Sequence, residues 1–297
     1  MVDYGTNNAS KGRTAPANDV EAGTRAQADA SSLQESSSLL GNGSKSNAKS
    51  ASSRPHAYCT VNVSSAWGDL ALLFCYVITG LLDSSSVYTW GSFVSMQTGN
   101  TVYLGSGIVA PSDDNKWIRA LTSIVFFCLG SFIFSRYHRY FGGKKRWVIV
   151  LSYTIQLIMI VVSAVMITLS PAEGLTPKGP ITMWSVIPIA LIAFQSAGQA
   201  VMSRVLQHGG LTSVVLTSIY CDLFSDQKLF TDLTTNAERN RRAAAPLLLL
   251  LGAMLGGIWS HSEVGLAGAA WTAAALKLFV IVAWCLWAAE KDENSTE

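Results

Sequence analysis

Residues 70–90 read LALLFCYVITGLLDSSSVYTW, and residues 91–101, which follow at once, read GSFVSMQTGNT. The first stretch is apolar and long enough to cross ~30 Å of hydrocarbon at 1.5 Å per helical residue. It nevertheless contains Asp83. An ionisable residue at membrane depth is costly and is normally kept where it faces a protein interior or a wet cavity. The stretch therefore predicts a membrane helix with a candidate functional residue, although Asp83 could instead cap the serine-rich turn after it.

The composition of the whole chain agrees with a polytopic membrane protein. Only 13% of the residues are charged while 49% are hydrophobic, and the charges lie mostly outside the apolar runs. The net charge is +2, and there is no basic stripe with interleaved aromatic residues, so we expect no nucleic-acid partner. The lipid bilayer is the expected surrounding of this all-α helix bundle.

Six apolar runs predict six full spans. They cover residues 70–90, 118–134, 147–169, 184–205, 246–259 and 266–287. Two further stretches, residues 91–110 and 210–224, are apolar but rich in Gly, Ser, Thr and Asn. They predict broken or re-entrant segments, and if both crossed the membrane the bundle would have eight spans.

The distribution of Lys and Arg favours the six-span topology. With six spans, ten basic residues in loops 136–146 and 225–244 and at Lys291 share one side, while Lys116 and Lys178 lie opposite. With eight spans the split becomes five to seven. Because cytoplasmic loops carry an excess of Lys and Arg, we expect both termini in the cytoplasm. The membrane itself could be the plasma membrane or that of an intracellular organelle.

Three regions differ in composition. Residues 1–57 are rich in Ser, Ala, Asn and Gly without apolar periodicity, which predicts a disordered tail. Residues 58–288 form the predicted transmembrane domain, and residues 289–297 form a short polar tail.

Two halves of the transmembrane domain, about residues 66–170 and 183–288, show the same order of elements. Each half reads as a span, a polar broken piece, a short span rich in Gly or Ala, and a long span. Gly130 and Gly252 take equivalent places in the third element. Three spans per half would invert the second copy, and inverted repeats with broken helices are a recurrent transporter design. The pattern predicts an internal duplication in which Asp83 approaches the helix that carries Gln195 and Arg204.

Several short motifs resemble a known family. They are Gly80-x-x-Asp83, residues 93–102 (FVSMQTGNTV), Gln195-Ser196 with Arg204, and residues 212–218 (TSVVLTS). Together they resemble the YoaK-like membrane proteins, a domain of unknown function, and the long N-terminal tail is similar to that of fungal-type members. The chain departs from the family pattern at Gln97, between Met96 and Thr98, and at Ser218, where the family tends to have glycine. The resemblance implies a multi-span helical protein and supplies no activity.

The candidate binding residues for an unknown small-molecule substrate or ion are polar positions near the predicted breaks. They are Asp83, Thr98, Gly99, Asn100, Gln195 and Arg204. Gly and Asn tolerate irregular backbone, which a membrane permits only where protein or a water-lined cavity satisfies it. Residues 98–100 could instead form an ordinary turn, and Arg204 could extend to the headgroups. Gly130, Gly252 and Gly256 are expected at close helix contacts.

Enzyme signatures such as G-x-S-x-G, H-E-x-x-H or a phosphate-binding glycine loop are absent from the sequence. The four histidines are too dispersed for a metal site, so we expect no enzyme activity, no metal and no cofactor. The first functional hypothesis is a transporter with a polar midplane site. The alternative is a membrane scaffold or regulatory protein without transport activity, and either could form a homo-oligomer.

Overall fold

The computed structural model describes residues 58–64, 68–111, 115–208 and 210–288. This part of the chain is helical apart from its connections and one isolated antiparallel bridge between Asn62 and Lys145. The all-α prediction is therefore confirmed. The predicted tails, residues 1–57 and 289–297, lie outside the described residues.

Six of the described helices are long and apolar enough to cross a membrane. They are α1 (Gly68–Trp90), α3 (Lys116–Phe141), α4 (Arg146–Leu169), α5 (Met183–Val205), α7 (Ala237–Ser260) and α8 (Gly265–Leu286). The two polar stretches hold shorter helices, α2 (Gln97–Val109) and α6 (Thr217–Phe224). Their 13 and 8 residues fall short of the ~20 residues that a full span needs. The protein is a multi-pass integral membrane protein, and the described helices give the six-span arrangement.

Helix α7 begins well before the predicted start of its span at Pro246. Its first turns are charged, which is why a search for apolar runs misses them. The Asn236 side chain accepts a hydrogen bond from the Arg239 backbone N–H and caps the helix at its true beginning. Pro246 consequently lies inside the helix and not at its first turn.

The chain before α7 folds around Asp226 and Arg239. The Arg239 guanidinium donates hydrogen bonds to several backbone carbonyls of this connection, including that of Lys228. The Lys228 backbone N–H donates to Asp226, and this bond is the main reason why the pKa of Asp226 lies below its usual range. A hydrogen bond from Asn236 and the positive charge of Arg242 also lower the pKa of Asp226. Charged groups therefore fix the connection at the end of the bundle.

The predicted basic loops gather at one end of the bundle, which we call the basic end. The Arg146 guanidinium, at the start of α4, donates hydrogen bonds to the backbone carbonyls of Tyr58 and Trp287. Arg241, at the start of α7, forms an ion pair with Asp69 at the start of α1. Both ends of the helical domain and both basic loops therefore meet at the same end, as six spans require.

The opposite end is held by Arg119 of α3, which is completely buried. Its guanidinium donates hydrogen bonds of 2.7–3.2 Å to the backbone carbonyls of Trp90, Thr176, Pro177 and Gly179. These bonds join the end of α1, the start of α3 and the connection between α4 and α5. A buried guanidinium is tolerated here because carbonyl oxygens accept hydrogen bonds from both of its terminal nitrogens.

The most extensive helix contacts are those of α1 with α7 and of α3 with α5. Glycines allow the two helices of each pair to approach closely. A Cβ atom at Gly252 would overlap the backbone carbonyl of Val77, and one at Gly130 would overlap the carbonyl of Phe194. Gly256, one turn after Gly252, meets α1 in the same way. All three glycines predicted to pack helices thus lie where two backbones approach closely.

We expect Gly252→Leu to destabilise the bundle, because the new side chain must push α1 away from α7. Overpacking of this kind typically costs about 1–3 kcal/mol. Gly257→Leu is the matched control, since a Cβ at Gly257 on the same helix meets no atom within 4 Å. The measurement is the temperature at which detergent-purified protein aggregates. Equal temperatures for the two variants would contradict the packing described here.

Candidate functional site

The first broken segment is tied back to α1 by Asp83. One carboxylate oxygen accepts hydrogen bonds from the backbone N–H groups of Val94 at 2.8 Å and Ser95 at 2.9 Å. The other oxygen accepts from the Ser95 hydroxyl. Hydrogen bonds to a carboxylate are stronger than neutral ones, and here they satisfy backbone donors that no helix satisfies. Asp83 therefore holds the segment between α1 and α2 in place.

Asn100 fixes the same segment from its other side. Its side-chain oxygen accepts from the Phe93 backbone N–H at 2.9 Å, and its side-chain nitrogen donates to the Phe93 carbonyl at 2.8 Å. The second N–H of the amide donates to the Gln97 side-chain oxygen at 2.9 Å. Gln97 in turn donates to the Ser123 hydroxyl of α3 at 3.1 Å. Both donors of the Asn100 amide are thus committed to the segment itself.

The remaining predicted site residues lie in different surroundings. Thr98 is exposed, and Gly99 lies against the Phe93 ring. Gln195 is buried in α5, donates to the Ser196 hydroxyl at 3.1 Å, and has a side-chain oxygen without a partner among the described residues. Arg204 is exposed at the basic end. The assignment of these residues to substrate binding stays a prediction.

The structure does not bring Asp83 and Arg204 together. Leu206, just after α5, lies beside Gly68 at the start of α1, while Thr79 further along α1 meets Gln199 within α5. The two helices therefore run in opposite directions, and Arg204 lies near the start of α1. Asp83 is fifteen residues along α1 from Gly68, which corresponds to roughly 22 Å at 1.5 Å per residue. The expected approach of Asp83 to α5 does not extend to Arg204.

A second set of buried polar side chains surrounds Lys277, and we call it the Lys277 cluster. Lys277 lies near the middle of α8 and has no exposed surface. Its amine donates to the side-chain oxygens of Gln156 at 2.8 Å and Gln199 at 2.7 Å. The Gln199 nitrogen donates to the hydroxyls of Thr79 at 2.9 Å and Ser213 at 2.7 Å. The cluster therefore joins α1, α4, α5, α8 and the second broken segment.

Lys277 has no carboxylate partner within the described part of the chain, where the ion pairs all involve other residues. Apart from the two glutamines, the amine lies 5.2 Å from the centre of the Tyr153 ring. A basic group buried without an acid is costly in a membrane helix, and such groups are usually kept for function. This makes Lys277 a stronger site candidate than any residue selected from the sequence.

Hydrogen-bonding groups continue from the Lys277 cluster toward the basic end. The Gln156 nitrogen donates to the Ser152 hydroxyl at 3.4 Å, a long hydrogen bond. Ser152 lies 3.2 Å from the Nε2 atom of the buried His138. His138 lines a cavity of about 470 Å³ that opens at the basic end. A line of polar side chains thus connects the centre of the bundle with that cavity.

Sequence reasoning missed Lys277, Gln156 and Gln199. Lys277 had a clear signal, because it is the only charged residue between positions 266 and 287. The glutamines had weaker signals, since an uncharged polar residue in a span also occurs at ordinary helix contacts. No group of three or more His, Cys, Asp or Glu side chains suited to a metal occurs in the described part of the chain.

The family model described as "Protein of unknown function (DUF1275)" matches residues 71–283. The chain belongs to this family. The match includes almost all of α1 to α8, so the DUF1275 domain and the helical bundle coincide. It confirms the resemblance seen in the motifs and brings no activity with it. Comparison with curated proteins and with solved structures found no match.

We expect Asn100→Leu to lower the stability of this DUF1275 protein. The substitution leaves both backbone groups of Phe93 without their partner, at about 1–3 kcal/mol for each buried group. Thr98→Val is the control, because it changes an exposed side chain on the same turn of α2. The measurement is again the aggregation temperature in detergent. If Asn100→Leu matches Thr98→Val, the amide does not hold the segment and is free for another role.

Proposed function

We propose that this DUF1275 protein transports a small molecule or an ion, and that the Lys277 cluster is its central polar site. The observation that carries the proposal is the complete burial of Lys277 between Gln156 and Gln199. Replacing buried ionic groups by apolar residues is often neutral or stabilising, so stability alone gives little reason to keep an amine there. A polar centre that a substrate or ion can use gives such a reason.

We also propose that residues 66–170 and 183–288 are inverted copies of one another. The helix contacts support this reading because they are reciprocal: α3 packs on α5, and α7 packs on α1. In the same way α2 packs on α3, and α6 packs on α7. The glycine contacts of Gly130 with Phe194 and of Gly252 with Val77 are reciprocal too.

The polar anchors of the broken segments support the same duplication. In the first half, Asp83 of α1 binds Ser95 of the first broken segment. In the second half, Gln199 of α5 binds Ser213 of the second broken segment. In this duplication Gln199 is the counterpart of Asp83. Lys277 contacts Gln156 from the first half and Gln199 from the second, which is where transporters with inverted repeats place their sites.

The proposed orientation places the basic end in the cytoplasm. Loop 136–146 carries five Lys and Arg residues and the start of α7 carries three, and both lie at that end. The excess of basic residues in cytoplasmic loops supports this orientation. Both termini would then be cytoplasmic, in the plasma membrane or an organelle membrane.

One observation favours the alternative of a scaffold or regulatory protein. Asp83 and Asn100 direct their hydrogen bonds to their own segment, and neither lines the two cavities described for this structure. A scaffold needs stable packing and no route across the membrane. Transport measurements on purified protein separate the two functions.

We expect Lys277→Met to lower the initial uptake rate about tenfold, which corresponds to about 1.4 kcal/mol in the barrier. Wild-type protein in liposomes is first tested against a panel of metabolites and ions to identify a transported species. The matched control is Lys228→Met, which removes an exposed lysine outside the spans. Unchanged uptake in Lys277→Met would remove the cluster from the mechanism. A wild-type protein that transports nothing in the panel would support the scaffold.

A further inference from the structure

The cavity at the basic end has a strongly basic wall. It opens between the end of α3, the turn at residues 142–144 and the end of α5. Its lining includes His138, Arg139, Lys144 and Arg204, and no carboxylate is among the described residues that line it. Three positive charges around one concave surface repel each other unless an anion lies between them.

The three cations have only neutral protein partners within the described residues. Arg139 donates to the carbonyl of the fourth residue before it at 3.3 Å, and Arg204 does the same at 3.3 Å. The Lys144 amine donates to the side-chain oxygen of Gln207 at 3.3 Å. An arginine has five N–H donors and a lysine has three, so most donors of this wall remain available for a ligand.

His138 adds a buried polar atom to the same wall. Its ring is 3% exposed, and its Nε2 atom contacts Ser152. Its ring also interacts with the backbone of Gly143, which lines the same cavity.

A second cavity at the basic end differs from the first, because its arginines pair with carboxylates. It measures about 270 Å³ and is lined by Arg241, Arg242 and Glu238 among others. Arg242 pairs with Glu238, and Arg241 pairs with Asp69. Its positive charge is therefore neutralised within the chain, whereas that of the 470 Å³ cavity is not.

We propose that Arg139, Lys144 and Arg204 bind a phosphate group in the 470 Å³ cavity. Planar guanidinium groups bind phosphate oxygens in pairs, and a lysine adds a point charge. The phosphate could belong to an anionic lipid headgroup, since basic pockets between membrane helices bind such lipids, or to a soluble phosphate. This binding site does not depend on the proposed transport activity.

The test compares two sources of phosphate with the full chain. Protein in phosphatidylcholine nanodiscs is titrated with inorganic pyrophosphate by calorimetry. In parallel, its thermal stability is measured in nanodiscs of phosphatidylcholine with and without phosphatidic acid. Saturable pyrophosphate binding supports a soluble ligand, and stabilisation by phosphatidic acid supports a headgroup. Absence of both effects in the wild-type protein overturns the proposal.

Variants test whether the phosphate binds in the 470 Å³ cavity. The double variant Arg139→Gln and Arg204→Gln is expected to weaken binding about tenfold or more, because it removes two guanidinium groups that can each bind phosphate through two hydrogen bonds. Lys144→Gln, which lies in a turn and disturbs neither helix, is expected to weaken it severalfold. Arg136→Gln is the matched control, since its guanidinium lies 5.3 Å from the centre of the Phe132 ring and does not line the cavity. An equal loss in Arg136→Gln would mean that only general charge matters and would overturn the site.

Discussion

A bilayer core offers no water to polar groups, so each N–H, C=O and charged side chain there must find its partner within the chain. Long helices meet this requirement through their own backbone hydrogen bonds. The two broken segments of this DUF1275 protein cannot do so completely, and side chains supply some of their hydrogen bonds. Asp83 and Asn100 bind the backbone of the first segment, and Gln199 binds Ser213 of the second. Polar residues in the spans therefore help to hold the broken segments in place.

The same requirement explains why Lys277 is surrounded by polar side chains. An amine in the middle of α8 needs acceptors, and it finds them on α4 and α5. The two glutamines are in turn held by hydroxyl groups on α4, α1 and the second broken segment. Helices from both halves of the chain are thereby connected through one polar centre. A movement of one half against the other would change this centre, which is the property that the proposed transport function needs.

Sequence reasoning succeeded where one physical quantity decides the structure. Apolar length alone identified the six spans, and the content of Gly, Ser, Thr and Asn identified both breaks. It failed at the beginning of α7, because four of residues 237–242 are charged and an apolar search passes over this stretch. It also predicted that Asp83 approaches the helix that carries Gln195 and Arg204, and the opposite directions of α1 and α5 leave Arg204 near the start of α1, away from Asp83. The relative direction and register of two helices depend on packing, and hydropathy carries no information about either.

The central claim is that Lys277 and Gln199 interact directly at the point where the two halves meet. A double-mutant cycle of Lys277→Met and Gln199→Leu, measured by reversible unfolding in lipid, tests it most directly. Residues in one hydrogen-bonded network typically show a coupling free energy of about 0.5–3 kcal/mol. We predict a coupling in that range. Effects that add to within about 0.3–0.5 kcal/mol, as for distant residues, would contradict the claim.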